Sequence, residues 1–162
     1  MIKLHLESLD NLDLEPIIVK AIDAIDGYGW SFDKAIEVAE EYRRFLALCL
    51  LFPDDSMVPS NVVDDFWHLH ILDTQKYAVD CENFFGYFLH HFPYFGMRGN
   101  HDEKNLEIAW YATLDAYKMT FGSTPSAELW PRSNRCPNCG KRANSMSVDI
   151  RPTLRDIGLA IV

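Results

Sequence analysis

The sequence predicts an all-α protein, a compact bundle of about five helices followed by a C-terminal CxxC knuckle or tail. Three observations carry that expectation. Apolar residues recur at three- and four-residue steps through five successive segments, and no segment alternates apolar with polar over the length of a strand. Gly, Pro and residues that cap helices fall at the ends of those same segments.

The first helix is expected from Leu14 to Ile25, with Asp13 as its N-cap, Pro16 in its first turn, Gly27 beyond its end and an apolar stripe of Ile18, Ala21, Ile22 and Ile25. Ser31 caps a long second helix in which Phe32, Ala35, Ala39, Tyr42, Leu46 and Cys49 share a face. Its end, Phe45 to Phe52, is apolar all round, which places it in the middle of the fold and makes Cys49 a core residue. After the turn Pro53-Asp54-Asp55-Ser56, a third helix starts at Asn61. Val62, Val63, Phe66, Trp67 and His70 fall on its inward face, while Asp64, Asp65 and His68 fall on the opposite one. Asp73 and Thr74 end it and cap a fourth helix running from Gln75 to about Phe85, with Tyr77, Cys81, Phe84, Phe85 and Phe88 on one face. Gly86 marks a kink or a break; if the helix runs on, His91 lies near the edge of the aromatic stripe and His90 points away. A fifth helix follows Asn100 or His101, with Leu106, Ala109, Trp110, Thr113, Leu114, Tyr117 and Phe121 inward and Gly122 as its stop. The implied organisation is a helical domain over residues 1–122, a linker over 123–134 and a CxxC-containing tail over 135–162.

Composition narrows the function classes. The 162 residues are 48% hydrophobic and 13% aromatic, ordinary for a folded chain despite a net charge of −9. Residues 1–131 hold nine basic against twenty-two acidic side chains, and such a body repels phosphate backbones, which argues against a nucleic-acid partner. The basic tail, with six Lys or Arg after Pro131, adds only weak non-specific attraction. Met1 to Pro16 lacks the apolar core of a signal peptide, and the apolar run Phe45 to Phe52 is far too short to span a membrane. Four Cys without a secretory signal then point to reduced thiols in a cytoplasm.

Two places carry chemistry. Between His68 and His91, four His fall within twenty-four positions: His68, His70, His90 and His91. Imidazole is the usual neutral nitrogen ligand and titrates near neutral pH, so this density reads either as a metal or acid/base centre or as hydrogen-bonded core. His68 and His70 project about 200° apart on a regular helix and so do not share one ion without distortion. His70, inward, is expected to share an ion, a water or a hydrogen bond with His90 or His91, with Tyr77 and Cys81 as further partners. His68, one turn after Asp64 and Asp65, has carboxylates placed to orient its ring. No GxSxG elbow and no phosphate-cradling glycine loop occurs.

The second place is Cys136-Pro-Asn-Cys139-Gly, which has the form of half a zinc ribbon. A closed zinc site takes four ligands, and no second pair follows. A partner chain or a homodimer, remote Cys or His residues, or residues beyond this sequence would complete it; the alternative is a tail without metal. A redox reading needs the CxxC at a helix N-terminus after a strand, and nothing upstream reads as that strand.

The pattern VDDFWHLHILDTQKYAVDCENFFGYFLHHFPYFG, Val63 to Gly96, resembles the glycine-rich domain-containing-protein-like family, although the long glycine-rich segment is absent. The resemblance implies a helical domain, singles out Trp67, His68, His70, Tyr77, Cys81, Gly86 and one of His90 and His91, and supplies no catalytic assignment. Two readings of function therefore stand side by side. One is a helical binding or scaffold domain with a zinc knuckle at its C-terminus; the other is a metal-dependent or acid/base enzyme using the His-rich centre.

Overall fold

A computed structural model describes residues 9–131, 140–141 and 150–159. Among them the chain is all-helical: α1 (Glu15–Ile22), α2 (Phe32–Leu51), α3 (Asn61–Leu72), α4 (Thr74–Phe85) and α5 (Asn100–Phe121), with one 3-10 turn at Leu154–Ile157 and no strand. Cys136 and Cys139 lie outside the described residues. The chain gathers into two compact units, Met1–Leu51 with Val62–Leu89, and Phe52–Asn61 with His90–Val162.

In the first unit, α1 is shorter than its sequence periodicity suggests. Asp13 Oδ1 accepts from the Glu15 N–H at 3.0 Å just ahead of the helix. At the other end Asp23 takes the chain out of it, its carboxylate accepting the Ile25 N–H at 3.0 Å and its carbonyl the Gly27 N–H at 3.1 Å. Ile17 and Ala21 are the buried residues, and Ile25, expected inward, is 96% exposed. Ser31 Oγ accepts from the Lys34 N–H at 3.2 Å at the start of α2. Toward its end Phe45, Leu46, Ala47, Leu48 and Cys49 are buried in succession, as an all-round apolar segment requires. The Phe45 ring meets Trp67 at 5.2 Å and Tyr42 meets Phe66 at 5.3 Å, which locks α2 against α3. Truncating a buried aromatic of this kind to Ala costs about 3–5 kcal/mol. Asp73 accepts from the Lys76 N–H at 3.3 Å and caps α4, and Gly86, at φ 70°, closes it in the left-handed region. Gly86 is thus a stop, and His90 and His91 lie in non-helical chain.

In the second unit, α5 begins after Gly99 and ends at Gly122, φ 76°. Asp102, buried in its first turn, accepts from the Gly96 N–H at 2.8 Å and from Arg98 Nη2 at 2.8 Å, fixing the preceding loop to the positive end of the helix. Within residues 123–131 Leu129 and Trp130 are buried, and Trp130 stacks on Trp110 at 6.0 Å and meets Tyr117 at 5.9 Å. An indole of that size buries a large apolar surface. Met57 and Lys141 form an isolated antiparallel bridge, and Lys141 Nζ donates to the carbonyls of Phe52, Pro53 and Asp55 at 2.7, 2.7 and 2.8 Å.

Candidate metal centre

Helix α3 presents two polar groups of opposite character, and the separation follows from its pitch. His70 is buried on the side that faces α2 and α4. Its Nδ1 is 2.9 Å from Tyr42 Oη and its Nε2 2.9 Å from Asp80 Oδ2. An ionised carboxylate only accepts, so Nε2 carries the proton and donates to Asp80, and Nδ1 accepts from the Tyr42 hydroxyl. Both ring nitrogens are thereby satisfied by a neutral imidazole. Burial holds the His70 pKa below its ordinary value, against the opposing pull of Asp80. Burial also raises Tyr42 well above the usual phenol value, so the hydroxyl remains a donor.

The other motif residues interlock beside it. Trp67 Nε1 donates to Tyr77 Oη at 3.0 Å, and the Tyr77 hydroxyl donates onward to the Leu89 carbonyl. The His70 and Tyr77 rings meet edge-on at 4.9 Å. Cys81 is a buried thiol, pushed above its ordinary pKa by burial, with hydrogen bonds to the Leu89 backbone and Tyr77 acting the other way. A raised thiol pKa in such surroundings makes a poor nucleophile. Asp80 is the functional-looking residue that sequence reasoning missed; its signal was its place three residues after Tyr77 on the same helical face.

His68 belongs to a different group. Its Nε2 lies 3.2 Å from Asp64 Oδ2, one turn earlier on α3. Asp64, expected outward, is buried, while the His68 side chain is 44% exposed. Such a carboxylate and imidazole, one turn apart on α3, could hold a metal ion. Ligands at 2.0–2.1 Å in tetrahedral geometry stand about 3.3 Å apart, so the Asp64 to His68 separation already suits one ion. His70 does not enter this group: it is committed on both nitrogens to Tyr42 and Asp80. His90 is exposed. Asp65, next in sequence to Asp64, has its pKa raised by burial first and by the Asp64 charge second, with His68 and Lys34 pulling it down. It stands beside the Asp64 and His68 pair rather than in it.

The helical fold and the Asp/His group define an all-α protein with a candidate metal centre, and comparison with known families fits the first part of that description. A family model described as UCP032817-like matches residues 6–121, so the chain belongs to the UCP032817-like family. This corrects the resemblance drawn from the WHxH pattern: the chain is not assigned to the glycine-rich domain-containing-protein-like family. No curated protein and no solved structure matches the chain. Among the described residues no helix is long and apolar enough to cross a membrane.

Proposed function

We propose that this helical domain binds a divalent metal ion, zinc by the chemistry of the donors, through Asp64 and His68, with His91 of the same sequence motif as a third ligand. The observation that carries the reading is the buried Asp64 carboxylate 3.2 Å from His68 Nε2, one turn apart on α3. Two nitrogens and one oxygen suit zinc among the common ions, whereas magnesium and calcium ask for an all-oxygen shell. Three protein ligands leave a coordination position for water or for a bound group, the arrangement of catalytic rather than closed structural zinc sites. A water held there would be acidified toward neutral pH.

The buried residues of the motif support a division of labour. Trp67, His70, Tyr77 and Cys81 hold α3 and α4 in place, and so fix the helix that carries Asp64 and His68. Cys136 and Cys139 remain proposed as a separate thiolate site, completed by a partner chain or a second copy.

The test is metal content by elemental analysis after dialysis against zinc, on the whole chain with Cys136→Ser and Cys139→Ser present throughout. One equivalent of zinc is expected, lost in Asp64→Asn, His68→Ala and His91→Ala and kept in His90→Ala. A folded protein that takes up no zinc, or one that keeps it in all three ligand variants, overturns the reading.

A further inference from the structure

The second unit carries a groove that the metal reading does not use. A cavity of about 450 Å³ runs along the exposed side of α5 beside the segment from Phe52 to Met57. Its floor is apolar, with Met57 and Phe95 buried, and its rim holds Ile108 and Met119, 66% and 73% exposed. Ala112 lies between those two rim residues on the same helical stripe, and its small side chain leaves the middle of the groove open for another backbone to approach. The stretch of α5 that lines it, Asn105 to Met119, is about 21 Å long at 1.5 Å per residue. The charged side chains lining it are both carboxylates, Asp55 and Asp115, and neither Lys104 nor Lys118 of α5 is among the lining residues.

Length, apolar floor and charge select the occupant. An amphipathic helix of about four turns fits a groove of this length, laying apolar residues at i, i+3, i+4 and i+7 against the floor. Carboxylates at the edge favour Lys or Arg flanking that stripe. The folded body of a second copy is disfavoured, since residues 1–131, with nine basic against twenty-two acidic side chains, would bring like charge to an acidic rim. We propose that the groove seats a basic amphipathic helix of a partner protein.

The experiment uses the full chain and a fluorescent synthetic peptide of about four helical turns, with Leu on the apolar stripe and Lys elsewhere. A control peptide keeps the Leu spacing and replaces each Lys by Glu. Fluorescence anisotropy is expected to show saturable binding of the Lys peptide, weakened by salt, and none of the Glu peptide. Ala112→Trp, at an exposed position, fills the groove and should weaken binding at least about tenfold. Asp55→Asn and Asp115→Asn should each weaken it about two- to fivefold, as for solvent-exposed charges. Circular dichroism of each variant confirms the fold, and the two-peptide comparison on the unaltered chain decides the question even where a variant fails to fold. Equal binding of both peptides, no binding of either, or unchanged affinity in folded Ala112→Trp overturns the proposal. A wild-type chain that sediments as a dimer, with Ala112→Trp a monomer, assigns the groove to a second copy and overturns it as well.

Discussion

His70 donates from Nε2 to Asp80 Oδ2 at 2.9 Å, and the same carboxylate oxygen accepts from Lys76 Nζ at 2.9 Å. A buried imidazole is therefore joined through one carboxylate to a lysine near the surface, and on its other side to Tyr42. The arrangement ties α2, α3 and α4 together by hydrogen bonds whose loss leaves buried polar groups unpaired.

His70→Ala should therefore destabilise the protein by about 2–4 kcal/mol, the sum of a cavity and an abandoned Tyr42 hydroxyl. Asp80→Asn retains shape and should cost less, about 1–2 kcal/mol. Urea unfolding of each variant checks the order. A His70→Ala protein as stable as the wild type would show that the network contributes nothing net.

The Trp67–Tyr77–Leu89 chain gives a sharper comparison. Tyr77→Phe removes only the hydroxyl, leaving the Trp67 N–H and the Leu89 carbonyl without it, and should cost about 1–3 kcal/mol. Trp67→Phe in the Tyr77→Phe background should then cost less than Trp67→Phe alone, because the indole donor has already lost its acceptor. A double-mutant cycle measures that coupling, and strict additivity would sink it.

Burial raises the pKa of Cys81 above 9.0 and of Tyr42 and Tyr77 above 10.0, and the sign of the resulting pH dependence is fixed. On raising the pH the unfolded chain loses these protons first, so it binds fewer protons than the native state and stability falls. The loss begins near the unfolded values of 9.0 and 10.0 and deepens toward the raised native values. Each group in its window contributes about 1.4 kcal/mol per pH unit. Urea midpoints measured between about pH 8 and pH 11 should drop steeply, and Tyr42→Phe should flatten the decline by one proton's worth. A flat profile would contradict the burial of these groups in a cooperative core.

Much of this architecture was legible in the chain, and the reasons are local. Asp73, Gly86 and Gly122 mark helix ends by chemistry that needs no tertiary context, a side-chain cap in one case and left-handed backbone in the others. Periodicity likewise placed Tyr42, Trp67, His70 and Cys81 inward. Residues whose partners are non-local were harder to place. Asp64 is buried because the covered arc of α3 extends from Leu69 through His70 and Val63 to Asp64, over half the helix circumference, where a single inward face was expected. Trp130 sits among Pro and turn residues, and its burial depends on rings of α5. His91 lies in non-helical chain because Gly86 ends α4, where periodicity alone left a continued helix open.

Lys141 provides the last test. Its ammonium is buried and donates to three carbonyls, of Phe52, Pro53 and Asp55, while its backbone pairs with Met57 in both directions at 2.8 and 2.9 Å. An ammonium supplies three donors in a pyramid, which suits three converging carbonyls; the planar fork of Arg does not. Just before it, Gly140 has φ 154°, and a Cβ there would stand 2.7 Å from the Met57 carbonyl oxygen. Lys141→Met retains length and apolar contact but removes every donor, so it should cost about 1.5–3 kcal/mol, charge-assisted hydrogen bonds being the strong ones. For a chain of this size that is a drop in Tm of about 4–10 °C. Lys141→Arg should recover less than half of it, and Gly140→Ala should lower Tm without touching any of the three donors. Melts of the three variants distinguish a charge that merely sits near these carbonyls from one that holds this turn; a Lys141→Arg protein with wild-type Tm would support the former.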